Sequence, residues 1–337
     1  MEEVTMKKIL FLGTGGTIAS TPSAEGMLPT LKTEDLIRAI PQLSDICEIQ
    51  PKMIMNIDSS NVQPEDWVLI AENVFRKLDE VDGVVIAHGT DTMAYTASAL
   101  TFMLQNLDKP VVLTGSQLSM ADDGTDAKRN IIDACITACS GVSEVLVVFN
   151  GKIIKGCRSY KINTRDFQAF ESLNYPYIGT IFDRKITFIH KPSLLLDKKP
   201  VLNTKHSTAV FLLKLFPGID PNILDALGDL NYRAILIESF GAGGVPFVRR
   251  NLLPGIEALI KRGISIVVTT QCLLGGSDLT VYEVGQKALK LGVIPVYDMT
   301  TEALVAKVMW ALGQTESPEG LKKIMETNYA DEVSLVC

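Results

Sequence analysis

The run Lys7-Lys8-Ile9-Leu10-Phe11-Leu12, followed at once by Gly13-Thr14-Gly15-Gly16-Thr17-Ile18-Ala19, constrains this chain more than any other stretch. An unbroken apolar segment that ends in small and hydroxylated residues reads as a buried strand feeding a functional loop. Glycine lacks a Cβ and tolerates positive φ, so Gly13, Gly15 and Gly16 let backbone N–H groups crowd a ligand beside two threonine hydroxyls. Anion binding and acyl chemistry both suit such a loop. A dinucleotide fingerprint does not fit. Ile18 occupies the place of its third glycine, and Pro22, Gly26 and Pro29 interrupt any helix before Glu34 and Asp35 could serve as the acidic partner. Residues 19–32 instead read as a loose lid over a small substrate.

The same pattern recurs along the chain. Residues 53–57 read as a strand with Asp58, Ser59, Ser60 and Asn61 at its tip, and Pro64-Glu65-Asp66-Trp67 opens a helix. Trp67, Ile70, Ala71, Val74 and Leu78 form the buried face of that helix. Residues 83–87 empty into His88-Gly89-Thr90-Asp91-Thr92, and a helix over 92–105 would set Thr90 and Asp91 beyond the carboxyl end of a parallel strand, the usual crevice of open α/β sheets. Strands at 110–115 and 144–149 flank a helix at 126–139. Shorter strands are expected at 152–158 and 180–189, with Lys161 in the polar stretch Ser159 to Asn163 between them.

In the second half, strands at 209–215, 234–237, 265–269 and 293–296 alternate with helices near Pro221, Leu252, Val281 and Thr301, which implies a second, smaller parallel sheet. Pro192 and Pro200 break the intervening stretch. The expected fold is therefore two-domain α/β: a larger N-terminal domain over 1–190 with a mainly parallel sheet, a linker over 191–208, and a smaller α/β domain over 209–337. A chain of 337 residues suits two such cores.

A net charge of −7 argues against a nucleic-acid partner, which calls for a basic face, and Lys191, Lys198, Lys199 and Lys205 read as a solvated linker. No segment approaches the roughly 20 apolar residues of a membrane span, and the acidic start Met1-Glu2-Glu3 is unlike a signal peptide, so a cytoplasmic protein is expected. The six cysteines, Cys47, Cys135, Cys139, Cys157, Cys272 and Cys337, show no C-x-x-C spacing. They read as free thiols, with Cys135 and Cys139 sharing one helical face as core contacts. No metal site is expected.

The first domain offers Thr14, Thr17, Ser59, Thr90, Asp91 and Lys161, most of them near expected strand ends that a parallel sheet would gather on one edge. A threonine hydroxyl is a weak nucleophile until a base takes its proton, and a lysine held by Asp91 helps to activate one. That chemistry needs no metal or cofactor, and it leaves Thr14 and Thr17 equally open as nucleophiles. His88 reads as a brace for its turn in preference to a base. Each residue also has a plainer reading: a cap at Thr17, Thr90 or Asp91, a structural ion pair between Asp91 and Lys161, a closed turn at Ser59.

As a set, Thr14-Gly15-Gly16-Thr17-Ile18-Ala19 and His88-Gly89-Thr90-Asp91-Thr92 resemble the two signature sequences of the bacterial-type L-asparaginases, in the family's order and each after a strand. The resemblance extends over nearly the whole chain, through Phe170-Glu171-Ser172-Leu173-Asn174-Tyr175-Pro176 and Asp298-Met299-Thr300, and is closest to the cytoplasmic type I branch. It implies Thr17 as nucleophile and Thr90, Asp91 and Lys161 as the second catalytic group. The implied course is attack on the side-chain amide of L-asparagine, loss of ammonia, and release of aspartate by water. It assigns Ser59 and Asp91 to the substrate's α-carboxylate and α-ammonium, with Ser60 nearby, while backbone N–H groups at Gly89 and Thr90 suit a developing oxyanion.

Further implications follow from the same resemblance. Many relatives carry a tyrosine in the lid, where this chain reads Ala24-Glu25-Gly26-Met27-Leu28-Pro29 with Met27 at the corresponding place. Some type I relatives bind asparagine as an effector in the second domain. Glu238-Ser239-Phe240-Gly241 and Thr270-Gln271-Cys272 match that region, with Glu238 where some bacterial relatives have arginine, so weak or absent cooperativity is expected. A homodimer or homotetramer is implied. Two rival readings remain: a subunit of a tRNA-dependent amidotransferase, whose usual extra N-terminal domain contrasts with a first motif so soon after Met1, and a non-catalytic sensor that binds asparagine.

Overall fold

The protein's computed structural model describes residues 6–23, 26–190 and 198–334. Two units divide it, Met1–Thr204 and Lys205–Cys337. The strands of the first are β1 (Lys8–Gly15), β2 (Ser20–Ser23), β3 (Gly26–Pro29), β4 (Glu48–Ile57), β5 (Gly83–Ala87), β6 (Leu104–Gln105), β7 (Val111–Thr114), β8 (Val145–Phe149), β9 (Lys152–Lys155), β10 (Ser159–Lys161), β11 (Phe170–Ser172), β12 (Gly179–Phe182), β13 (Lys185–Phe188) and β14 (Val201–Leu202). Its helices are α1 (Thr33–Arg38), α2 (Pro64–Lys77), α3 (Met93–Met103) and α4 (Ala127–Ala138).

Eight of these strands form one sheet in the order β13-β12-β9-β8-β7-β5-β1-β4. From β4 to β8 neighbouring strands run parallel, and β9, β12 and β13 extend the sheet antiparallel. Ile9 to Leu12, Val84 to Ala87 and Val111 to Leu113 are almost wholly buried, because helices cover both faces of a parallel sheet and leave no solvent side for polar alternation. The chain leaves β1 for β4 on one side and returns to β5 on the other. That reversal opens a crevice outside the carboxyl end of β1.

Trp67, Ile70, Ala71, Val74 and Leu78, the expected inward face of α2, are all buried. Two segments differ from expectation. Within residues 19–32, where a loose segment was expected, β2 and β3 pair antiparallel, Ser20 opposite Pro29 and Thr21 opposite Leu28. Prolines read as breakers, yet an isolated two-stranded ribbon has outward-facing N–H positions where their missing donor costs little. Ala24, Glu25 and the Met27 side chain lie outside the described residues. Residues 180–189 are two strands, β12 and β13, with Asp183 (φ 46°) and Arg184 (φ 59°) both left-handed at the turn between them. Such a turn usually announces itself with Asn-Gly or Asp-Gly, and Asp-Arg gives no such signal.

The second unit holds a four-stranded parallel sheet in chain order, β15 (Val210–Lys214), β16 (Ala234–Ser239), β17 (Ser265–Thr270) and β18 (Ile294–Pro295). Its helices are α5 (Asn222–Gly228), α6 (Leu253–Lys261), α7 (Glu283–Leu291), α8 (Thr301–Leu312) and α9 (Pro318–Met325), the last unforeseen from the sequence. Leu224, Ile235, Ile237, Ile256, Val268 and Ala288 belong to its core. Lys307 of α8 is fully buried, where its ammonium meets Glu332 at 2.5 Å and the carbonyls of Met325 and Thr327.

Candidate active site

At the end of β1 the register shifts between Gly13 and Gly15, and Gly15 (φ 102°) and Gly16 (φ 78°) turn the chain sharply. The Gly16 N–H donates to Ile57 O at 3.0 Å, tying this loop to the end of β4. A Cβ on Gly16 would lie 2.4 Å from Gly89 Cα, and one on Gly89 would lie 2.6 Å from Ser59 Cβ. Three loops, from β1, β4 and β5, therefore meet where only glycine leaves room.

The two threonines of the first loop have different surroundings. Thr14 is buried and its hydroxyl donates to Ala87 O at 3.0 Å. Thr17 opens the short 3₁₀ turn Thr17–Ala19, is half-buried, and its hydroxyl makes no hydrogen bond among the described residues. One hydroxyl is spent on the scaffold and the other, among the described residues, is not.

Lys161, the last residue of β10, donates to Thr90 Oγ1 at 2.7 Å and to Asp91 Oδ1 at 2.6 Å. The lysine is largely covered while the Asp91 side chain is 58% exposed, so the carboxylate bridges a shielded cation and open solvent. Its strand is anchored by pairing Lys161 with Phe170, whose buried ring packs on Phe149 at 5.0 Å. Ser59, also buried, accepts from the Asp91 N–H at 3.2 Å and, through its carbonyl, from the Thr92 hydroxyl at 2.7 Å. Among the described residues the N–H groups of Gly89 and Thr90 have no acceptor within the protein. Ser60 is exposed, with its N–H taken by Asp58.

His88 is fully buried between two partners: Nδ1 donates to Gly89 O at 2.7 Å, which leaves Nε2 to accept from the Thr96 hydroxyl at 3.0 Å. Burial pulls its pKa below the ordinary value, so it is a neutral brace for the turn. Gln117, just beyond β7, is a neighbour that the sequence reading missed. Its Oε1 accepts from the Thr90 hydroxyl at 3.4 Å and its Nε2 donates to Asp166 O at 3.1 Å. The polar Gly115-Ser116-Gln117 at a fourth strand end was the available signal.

Glu238, Thr270 and Cys272 belong to the second unit, at the carboxyl ends of β16 and β17. Glu238 accepts from the Thr301 hydroxyl at 2.7 Å and pairs with Lys214 at 3.7 Å. Thr270 Oγ1 donates to Gly241 O at 2.5 Å, and Cys272 is exposed. Among the described residues no group of three or more His, Cys, Asp or Glu is arranged to hold a metal ion, and no helix is long and apolar enough to cross a membrane.

A mostly parallel α/β sheet with threonines and an aspartate beyond its strand ends, and a lysine brought to them by β10, defines a two-domain α/β class with a polar site, and sequence comparison narrows it. The family profile Asparaginase, N-terminal matches residues 8–194, and Glutaminase/Asparaginase C-terminal domain matches 209–325. The chain belongs to the asparaginase family. It is 43% identical to the L-asparaginase of Thermococcus kodakarensis over 97% of this chain and 99% of that one. It is also 39% identical to a glutamyl-tRNA(Gln) amidotransferase component of Pyrococcus abyssi, over 98% of this chain and 77% of that one. The solved thermostable L-asparaginase from Thermococcus kodakarensis superposes with a TM-score of 0.92. L-asparaginase I from Vibrio cholerae does so at 0.88, with 32% identity over 98% of this chain and all of that one.

Proposed function

We propose that the chain hydrolyses L-asparagine to L-aspartate and ammonia, with Thr17 as nucleophile. The observation that carries this reading is the contrast between the bonded hydroxyl of Thr14 and that of Thr17, which makes no hydrogen bond among the described residues, beside the Gly16–Gly89 contact. Thr17 Oγ attacks the side-chain amide carbon as its proton passes toward the Thr90 and Lys161 pair. The Gly89 and Thr90 N–H groups face the oxyanion, a contribution of about 3 to 4 kcal/mol in acyl transfer. The C–N bond then breaks, the nitrogen leaves protonated as ammonia, and water cleaves the Thr17 ester to release aspartate. Asp91 receives the substrate's α-ammonium, and the hydroxyl of Ser59, with Ser60 nearby, receives its α-carboxylate.

In this reading the catalytic groups belong to a domain over 1–190, joined by 191–208 to a second over 209–337. The chain works in the cytoplasm as a homodimer or homotetramer, without cofactor or nucleic acid. The carboxylate of Glu238 disfavours an amino-acid effector beside Thr270 and Cys272, so asparagine saturation is hyperbolic, which initial rates across substrate concentration check.

The test is ammonia release from L-asparagine and L-glutamine by the purified chain and its Thr17→Ala and Thr14→Ala variants. Release from asparagine, reduced by roughly three orders of magnitude or more in Thr17→Ala while asparagine still binds, is expected. Full activity in Thr17→Ala with loss in Thr14→Ala would reverse the assignment. Binding without any release would favour a sensor or a subunit awaiting its amidotransferase partner.

A further inference from the structure

The hydroxyl of Thr90 has one proton and two lone pairs to place. Lys161 Nζ donates to one of those pairs at 2.7 Å, so the Thr90 proton points elsewhere. Gln117 Oε1 receives it at 3.4 Å, which is long for O–H···O; contacts of this kind are often long without substrate and tighten in its complex. The Gln117 amide presents its oxygen to Thr90 because its Nε2 donates to Asp166 O at 3.1 Å and to Asn163 O at 3.5 Å, and a carbonyl only accepts. One Thr90 lone pair is left over. A proton leaving Thr17 needs such an acceptor.

The backbone that carries Gln117 is fixed from within the domain. Its N–H donates to both carboxylate oxygens of Asp126, at 3.1 and 3.0 Å, and the Leu118 N–H donates to Oδ1 at 3.1 Å. Asn130 Nδ2 donates to Oδ2 of the same carboxylate at 3.1 Å and to Gly115 O at 2.9 Å. Asp126 is buried at the N-cap of α4, and only a carboxylate accepts on both oxygens; a carboxamide would turn a donor toward one of these N–H groups. The same loop also reaches the turn of Thr17. The Ser119 hydroxyl donates to Ser20 O, and the Met120 N–H donates to Ile18 O at 3.3 Å.

We propose that Gln117, anchored through Asp126, is a positioning residue for the hydrolysis: it draws the Thr90 proton aside and leaves an unshared pair for the proton of Thr17. The inference rests on the reading of Thr17 as nucleophile with Thr90 and Lys161 as its proton acceptors. Without Oε1 the Thr90 hydroxyl rotates freely and for much of the time presents its own proton to Thr17, a donor facing a donor. Proton transfer then slows. Substrate capture through Ser59 and Asp91 does not involve this amide, so the loss falls on kcat and spares KM.

The experiment compares the full chain with its Gln117→Leu, Gln117→Glu and Asp126→Asn variants in ammonia release from L-asparagine, thermal unfolding and calorimetric binding of L-aspartate. In Gln117→Leu, kcat should fall on the order of a hundredfold, with KM and aspartate affinity within about twofold of wild type and Tm unchanged. Gln117→Glu should recover most of the turnover at neutral pH, where its carboxylate accepts the Thr90 proton. Asp126→Asn should lose kcat in the same way; should it fail to fold, the two Gln117 variants decide alone. Wild-type kcat in Gln117→Leu would overturn the proposal. So would a loss matched by a raised KM and a lowered Tm, the mark of a purely structural role, or a Gln117→Glu variant no better than Gln117→Leu. A wild-type chain that binds asparagine and releases no ammonia sinks the nucleophile reading and this proposal together, whereas equal turnover in wild type and Gln117→Leu sinks this proposal alone.

Discussion

One hydrogen bond separates the two threonines of the first loop. Thr14 and Thr17 carry the same side chain, three residues apart, among the same glycines, and nothing in their spacing tells them apart; the difference lies in Ala87 O, more than 70 positions away, which accepts from Thr14 alone. Thr14→Val keeps the shape and removes the hydroxyl donor to Ala87 O. It should destabilise the protein by about 1 kcal/mol while retaining far more turnover than Thr17→Ala. A lower urea midpoint at unchanged slope would register this. The contact of Lys161 with Thr90 and Asp91 was readable as a possibility, because a lysine in a polar stretch and an acidic strand end invite pairing. Gln117 was not, since its contact with Thr90 depends on the order in which β5 and β7 lie side by side.

At the scale of elements, α8 shows how burial turns a side chain into a pH-dependent load. Glu302, in its first turn, is nearly inaccessible, one of its carboxylate oxygens has no partner among the described residues, and burial followed by the charge of Glu238 raises its pKa from 4.5 to about 7. Between those values the folded state holds a proton that the unfolded state has released, so the contribution of this group is full below 4.5 and is lost as pH rises through about 7. Glu302→Gln removes the dependence and should stabilise the protein above that window by up to about 3 kcal/mol. Urea unfolding of both proteins on either side of the window measures it. Elements with strong signals, such as the apolar strands and α2 with its proline start, were legible to within a few residues. The ribbon β2–β3 and the turn of β12–β13 were not, because backbone pairing there overrides residues that read as breakers or carry no turn signal.

At the scale of the whole molecule, the recurrence of apolar run and polar strand end was enough to indicate two parallel sheets and to gather Thr17, Ser59 and Thr90 on one edge of the first. The order β4-β1-β5 was not legible, since it depends on pairings between segments 40 to 80 residues apart that no local pattern encodes. Nor were the antiparallel strands that extend the edge. The loop contact at Gly16 and Gly89 was foreshadowed only in that both positions are glycine. The N–H groups of Gly89 and Thr90, without acceptors among the described residues where these loops meet, make those amides natural sentinels of occupancy. Their hydrogens should exchange freely in the empty protein and become protected when L-aspartate fills a Thr17→Ala site, so that nuclear magnetic resonance could report ligand capture with no turnover at all.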